Sequence, residues 1–174
     1  TVIPSLATFE NTILMQFKAL IKEQNVPGEE VHGRIARMWA GFVMEQHAYQ
    51  LLLQTGNEYG FKDTTIISNP ELDMKKGIDV YLKNTYNLSD SGKLRIYKDS
   101  AQKWRDLKDK KRPKGNDVLG ITENVPVGKD TPEHTKEINR WYLLSDSHAH
   151  KLIKKYLPVI TRSMILENFL GFQK

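Results

Sequence analysis

The residues best suited to chemistry are two carboxylates and a lysine: Glu45, Asp79 and Lys98. Asp79 lies in an apolar run at residues 77–83, and Lys98 closes a second run at residues 93–98, with turn-forming residues between them. This pattern predicts a β-hairpin. A carboxylate beside an ammonium group can hold a metal ion and a phosphate, or it can form an ordinary cross-strand ion pair. The residue types leave both interpretations open.

In the predicted hairpin, Asp79 lies opposite Lys98. Because side chains alternate across a sheet, this register places Tyr81, Leu94 and Ile96 on the same face as the pair. The other face is then largely apolar and carries Ile78, Val80, Leu82 and Tyr97.

Glu45 lies within a helix predicted over residues 29–54. At helical spacing it shares a side with Phe42, Ala48 and Leu52, which are apolar. A carboxylate among such neighbours is partly desolvated and needs a cation or hydrogen-bond donors. Glu45 is therefore either a site residue or a residue at the edge of the apolar stripe that pairs with a nearby base.

Composition narrows the class of protein. The 174 residues, 39% hydrophobic and 27% charged, predict one soluble domain spanning residues 1–174. The absence of cysteine excludes disulfides and thiolate chemistry. No apolar run approaches transmembrane length, so we expect no membrane partner and a cytoplasmic location. The net charge of +5 and a pI near 9.3 favour a polyanionic partner, nucleic acid first.

Hydrophobic spacing and turn signals predict the remaining elements. We expect helices at 5–24, 101–110, 131–144, 145–157 and 158–170, strands at 64–68 and 117–122, and a loop at 123–130. A basic run follows the 101–110 helix and is either a solvated loop or a phosphate-contacting one; its cations are Lys108, Lys110, Lys111, Arg112 and Lys114. Three further cations that can contact a phosphate backbone are Lys151, Lys154 and Lys155.

The elements predicted over residues 29–122 thus follow the order helix, strand, strand, strand, helix, strand. With Glu45 on the first helix and the segments Gly77-Ile78-Asp79 and Ile96-Tyr97-Lys98 in the hairpin, this part of the chain resembles the PD-(D/E)XK, or restriction-endonuclease-like, nucleases. The resemblance implies an α+β fold with a mixed sheet flanked by helices. We expect helices additional to this core at the N-terminus and in a C-terminal part at 131–174.

The sequence departs from the family pattern at two positions. Isoleucine replaces the proline before Asp79, and Ile96 stands where the family has a metal-binding carboxylate. Either Glu45, Asp99 or Asp106 supplies the missing carboxylate from another part of the chain, or the metal site is incomplete. With an incomplete site the protein would bind nucleic acid without cleaving it.

The resemblance implies a Mg²⁺-dependent DNA endonuclease of type II restriction-like kind that acts as a homodimer. Asp79 and Glu45 would be the metal ligands, and Lys98 would orient or activate water, so that all three are catalytic. The alternative function is a non-catalytic, basic nucleic-acid-binding or interaction protein. A weaker alternative is a structural or assembly protein whose charge is incidental.

Overall fold

The structure, a computed structural model, describes residues 3–101 and 118–157. Within them the chain forms three α-helices: α1 (Leu6–Glu23), α2 (Gly28–Glu58) and α3 (Asp146–Tyr156). All three lie where the hydrophobic spacing predicts helices, although α2 continues four residues past its expected end. Ser5 and Ser145 cap α1 and α3, because each hydroxyl accepts a hydrogen bond from an amide of the first turn.

Four strands form a mixed sheet in the order β1 (Ile66–Ile67), β2 (Val80–Leu82), β3 (Gly92–Lys98) and β4 (Ile121–Val127). The first two neighbouring pairs are antiparallel, and β3 and β4 are parallel. A parallel pair requires a crossover connection, which here comprises residues 99–120. The helix predicted at 101–110 belongs to this connection, and 102–117 lie outside the described residues, as does the predicted helix at 158–170. The described chain is therefore a mixed α+β fold.

The core lies between one face of the sheet and the helices α2 and α3. Leu52 and Ile153 of the helices are fully buried against side chains of the central strands, which are Val80, Leu82, Leu94 and Ile96. The segment before β4 covers the opposite face, where Tyr81 lies opposite Lys93. The Tyr81 hydroxyl donates to the Leu119 carbonyl at 3.0 Å, and the Lys93 ammonium to the Val118 carbonyl at 3.3 Å.

The predicted register of the central hairpin is wrong. β2 pairs with β3 through Val80–Leu94, so extension of the ladder places Arg95, not Lys98, opposite Asp79. Lys98 pairs instead with Val127 of β4. The predicted pairing of β2 with β3 is displaced by an odd number of residues, and it therefore assigns the side chains of β3 to the wrong face of the sheet. Leu94 and Ile96 share the core face with Val80 and Leu82 rather than a polar face with Tyr81.

The helix predicted at 131–144 is also wrong, because these residues contain a hairpin of β5 (Thr135–Ile138) and β6 (Trp141–Leu144). A two-residue turn joins the strands, and both of its residues have positive φ, 49° at Asn139 and 68° at Arg140. This is the backbone that a type I′ turn requires. The predicted loop at 123–130 is likewise mostly strand, since β4 extends to Val127.

No helix in the described ranges combines the length and the apolar character needed to cross a membrane.

Candidate functional site

Three carboxylates meet beside the start of β2, and we call them the acidic cluster: Glu45, Asp73 and Asp79. One carboxylate oxygen of each residue lies within 4.8 Å of the corresponding oxygens of the other two. Glu45 comes from the middle of α2, Asp73 from a single π-helical turn (Leu72–Lys76), and Asp79 from the residue before β2. Residues from three different segments therefore converge on one small cleft of about 210 Å³.

Asp79 is held by the central strand of the sheet. Asp79 is only 5% exposed, and one of its carboxylate oxygens accepts a hydrogen bond from the Ile96 amide at 2.5 Å. Its own amide donates to the Leu94 carbonyl at 2.9 Å. Both bonds attach Asp79 to the central strand β3, so its orientation is fixed by the sheet.

The π-helical turn positions Asp73. The Asn69 side chain accepts a hydrogen bond from the Leu72 amide at 2.8 Å, and the Asn69 carbonyl accepts one from the Asp73 amide. Gly77 ends the turn with φ of 60°, and its amide returns to the Asp73 carbonyl at 2.8 Å. Such π-helical turns occur frequently at functional sites.

Asp73, and not residue 96, is the third carboxylate beside Glu45 and Asp79. The Ile96 side chain is fully buried in the core, and only its backbone amide reaches the cluster. Asp99 has a different role, because its carboxylate accepts hydrogen bonds from the Ser100 amide at 2.6 Å and the Asp130 amide at 2.8 Å. Asp106 lies outside the described residues.

The donor set of the acidic cluster fits a hard divalent cation. Its ligands are all carboxylate oxygens, which suit Mg²⁺, Mn²⁺ or Ca²⁺ and not the softer metals that prefer thiolate or imidazole. Two oxygens on opposite sides of Mg²⁺ are about 4.2 Å apart, close to the separation limit in the cluster. A cation would also relieve the mutual repulsion of three negative charges. Glu45 is half-buried and Asp73 exposed, so the cleft is open to water.

Lys98 lies in a neighbouring cleft of about 360 Å³, which we call the basic cleft. Its cations are Lys98, Lys129 and Arg140, and its aromatic residues are Trp141 and Tyr142. The two clefts lie on different sides of α2, because Ala40 and Met44 line the basic cleft whereas Phe42, Glu45 and Gln46 line the cleft of the acidic cluster. Lys98 is two residues beyond Ile96 on β3, a separation of about 7 Å along a strand.

The other cations expected to contact DNA have separate positions. Lys108, Lys110, Lys111, Arg112 and Lys114 lie outside the described residues. Lys155 forms an ion pair with Glu123 at 2.7 Å, and this hydrogen bond raises the pKa of the lysine. The Lys154 ammonium lies 5.7 Å from the centre of the Tyr59 ring, and Lys151 is exposed.

Sequence reasoning missed Asp73 and most of the basic cleft. Asp73 follows Asn69-Pro70, which signals a turn but not a π-helical one, and nothing in its spacing links it to Glu45. The sequence does not indicate a role for Lys129 or Arg140, because residues 123–130 are predicted as a loop and residues 131–144 as a helix. The positive φ of Arg140 depends on a hairpin that the sequence does not signal with glycine.

Comparison of the chain with protein-family models, with curated proteins and with solved structures gave no match.

Proposed function

We propose that this protein is a metal-dependent DNA endonuclease with a restriction-endonuclease-like core. The observation that carries the proposal is the acidic cluster, in which Glu45, Asp73 and Asp79 converge beside the central strands. The sequence predicts Glu45 and Asp79 for this chemistry, and Asp73 adds a third carboxylate.

The order and pairing of the elements support the proposal. α2 is followed by the antiparallel strands β1, β2 and β3, and then, after the crossover, by β4 parallel to β3. The resemblance implies the order helix, strand, strand, strand, helix, strand, and the described elements agree with it at every place except the second helix, which lies outside the described residues. A site at the junction of α2 with β2 and β3 is where that order would place metal ligands.

The three carboxylates would hold Mg²⁺, which as a Lewis acid stabilises the charge that develops on phosphoryl oxygens. Asp79 keeps its orientation through the Ile96 amide, so the charge of this carboxylate is directed at the cleft before substrate arrives. Glu45 and Asp73 supply the remaining negative charge from α2 and from the π-helical turn. The cleft is open, which gives water and a phosphodiester access.

Lys98 would act from the basic cleft rather than from a position opposite Asp79. Its exposed ammonium would contact a phosphate oxygen of the bound DNA or orient water. This role is compatible with its position at the end of β3, two residues beyond the amide that binds Asp79. We further propose a cytoplasmic, type II restriction-like enzyme that reads a two-fold DNA site as a homodimer.

Incubation with plasmid and phage DNA, in Mg²⁺ and in EDTA, tests the proposed activity. We expect Mg²⁺-dependent cleavage by the wild type and at least about a hundredfold slower cleavage by Asp73→Asn, since each ligand carries charge to the metal. Glu71→Gln is the matched control, because it removes an exposed carboxylate two residues away. Intact DNA under Mg²⁺ and Mn²⁺ would contradict the proposal.

The competing function is nucleic-acid binding without cleavage. The observation that favours it is Ile96, whose buried side chain gives β3 no carboxylate at the position where the nucleases that the sequence resembles have one. Salt-dependent DNA binding together with intact DNA under Mg²⁺ and Mn²⁺ would select this function.

A further inference from the structure

We propose that α1 binds the α1 helix of a second copy of this chain, antiparallel and across a two-fold axis at Ile13. The partner is therefore chemically identical, and the product is a homodimer. The residues of α1 and α2 carry this inference without any appeal to cleavage of DNA. Only the statement that this dimer serves a nuclease rests on the proposed function.

A row of large apolar side chains follows one side of α1, and we call it the α1 stripe: Leu6, Phe9, Ile13, Phe17 and Leu20. Successive members are three, four, four and three residues apart, so they lie on the same side of the helix. Between its first and last members the stripe is about 21 Å long, at 1.5 Å per residue.

Within the described ranges, the α1 stripe is only partly covered. None of the residues of α1 is buried, although the shorter helix α3 buries five of its own. Phe17 and Leu20 are each 46% exposed, and Leu6 is 37% exposed. Phe9 stacks on Phe42 of α2 at 6.0 Å between ring centroids, so α2 covers the stripe in part and leaves the rest to solvent.

The exposed apolar surface extends from α1 onto α2. Val31, Ile35 and Met38 are four and three residues apart and lie on one side of α2. The first two are buried, whereas Met38 is 52% exposed. Phe42, on which Phe9 stacks, is one turn beyond Met38. The stripe therefore continues through Phe42 towards Met38, and a contiguous apolar patch of this kind marks an interaction site.

The order of residue types in the α1 stripe identifies the partner. From either end the stripe is Leu, Phe, Ile, Phe, Leu, at positions −7, −4, 0, +4 and +7 from Ile13. In an isologous interface, residue i of one copy meets residue j of the other, and j meets i. Two antiparallel α1 helices would place Leu6 opposite Leu20, Phe9 opposite Phe17, and Ile13 opposite its own copy. Each chain thus presents the complement of its own surface.

The charges of α1 agree with this antiparallel register. Each charged residue of α1 lies opposite an uncharged one, in the pairs Glu10 with Gln16, Lys18 with Thr8, Lys22 with Pro4, and Glu23 with Ile3. A parallel pair of α1 helices would instead set every charge opposite its own copy. Because like charges that face each other oppose association, the charges favour the antiparallel pair.

Sedimentation velocity of the full chain in EDTA, without DNA, tests the dimer. We expect the wild type at micromolar concentration to sediment with twice the 20.1 kDa mass of one chain. Phe17→Glu should weaken dimerisation at least about a hundredfold, because it places a charge among apolar side chains at two symmetric contacts. Circular dichroism reports whether this variant keeps its helices.

Met15→Glu is the matched control for Phe17→Glu. Met15 is 82% exposed and lies two residues from Ile13, hence on the other side of α1. We expect this variant to remain dimeric.

Cysteine substitutions test the register, because the chain has no cysteine of its own. An equimolar mixture of Leu6→Cys and Leu20→Cys, combined under reducing conditions and then oxidised, should form a disulfide-linked dimer. Each variant alone should not, since its two thiols would lie about 21 Å apart along the helix pair and a disulfide needs Cα atoms within about 7 Å. This result decides the inference even if Phe17→Glu does not fold.

A monomeric wild type would overturn the inference and would mean that another segment or another partner covers the stripe. A dimeric Phe17→Glu variant would place the interface elsewhere, and a Leu6→Cys variant that crosslinks with itself would exclude the antiparallel register. Cleavage of plasmid DNA in Mg²⁺ is a separate readout. A monomer that cleaves DNA refutes the interface and leaves the proposed function, whereas a crosslinked dimer that does not cleave DNA leaves the interface and refutes the nuclease.

Discussion

At the scale of single residues, Asp79 combines a buried hydrogen bond with a charge in the acidic cluster, and we expect these to act as two separable roles, one structural and one chemical. Its carboxylate accepts the buried Ile96 amide, and its charge completes the acidic cluster. An asparagine oxygen can accept the same hydrogen bond without the charge. The two roles therefore respond differently to asparagine and alanine.

We predict that Asp79→Asn unfolds in urea with a free energy within about 1 kcal/mol of the wild type in EDTA. Asp79→Ala should lose about 1–3 kcal/mol, because it leaves the Ile96 amide without its acceptor. Adding Mg²⁺ should stabilise only the wild type, since a bound cation favours the folded state. Equal stability of the two variants would show that the hydrogen bond to Ile96 is unimportant.

Because of His148, we predict that the folded protein loses stability in acid. Burial, and then the neighbouring His134, lowers the pKa of His148 to about 4 despite the opposing charges of Glu123 and Glu133. The unfolded chain takes up this proton near pH 6.5 and the folded chain only near pH 4. Because the unfolded state binds more protons between these values, stability falls as pH drops through this window, by at most about 3 kcal/mol.

Urea unfolding at several pH values between about 7 and 4 measures this effect. His148→Gln should show a shallower decline than the wild type, because glutamine does not titrate. Identical pH dependence of the two proteins would contradict the assignment to His148.

The sequence predicts two of the three acidic residues but not the third. Glu45 is conspicuous because it interrupts an apolar helix face, and Asp79 because it interrupts a strand. Asp73 does not interrupt an apolar pattern. Its position depends on the π-helical turn and on Gly77, which ends that turn in the left-handed backbone conformation. Periodicity does not report such a turn, so the third carboxylate becomes visible only in three dimensions.

At the scale of elements, the packing of α3 on the sheet depends on a glycine. The ring of Tyr156 lies against Gly92 at the start of β3, and a Cβ atom there would lie 2.6 Å from two ring carbons. Tyr156 is buried, and its hydroxyl donates to Glu123 of β4. The ring is held at both its face and its hydroxyl and therefore cannot move aside easily.

Gly92→Ala should accordingly reduce the free energy of unfolding by about 1–3 kcal/mol through overpacking. Gly41→Ala offers a control of opposite sign, because a Cβ on this glycine of α2 meets nothing within 4 Å. Alanine is the better helix former there, by up to about 1 kcal/mol. Thermal or urea unfolding of both variants measures the difference. A stable Gly92→Ala variant would contradict the packing of α3 against β3.

The sequence predicts helices where α1, α2 and α3 lie, and it predicts a strand at the place of each of β1 to β4. The β5–β6 hairpin is instead predicted as a helix. Thr131-Pro132-Glu133 is typical of a helix start, and the turn uses Asn139-Arg140 in place of Asn-Gly. The register of β2 with β3 failed for a related reason. The ordered loop between them leaves β2 only three residues long, and the sequence does not show where pairing stops.

At the scale of the whole molecule, the net charge of +5 predicts salt-dependent DNA affinity. Each phosphate contact releases counterions, so the logarithm of the association constant should fall linearly with the logarithm of salt concentration. For a duplex the slope should be about −0.9 for each phosphate neutralised. Anisotropy titrations over a range of salt concentrations measure this slope. A slope of zero would instead favour the structural or assembly protein.

The central claim, that Glu45, Asp73 and Asp79 together bind a divalent cation, is tested most directly by NMR with Mn²⁺. A paramagnetic ion held by the cluster lies close to the Ile96 amide, which donates to Asp79. We predict that substoichiometric Mn²⁺ broadens the Ile96 amide signal in the wild type, that excess Mg²⁺ restores it, and that Asp79→Asn abolishes the broadening. An Ile96 signal that stays sharp in the wild type, while exposed carboxylates elsewhere broaden, would contradict the claim.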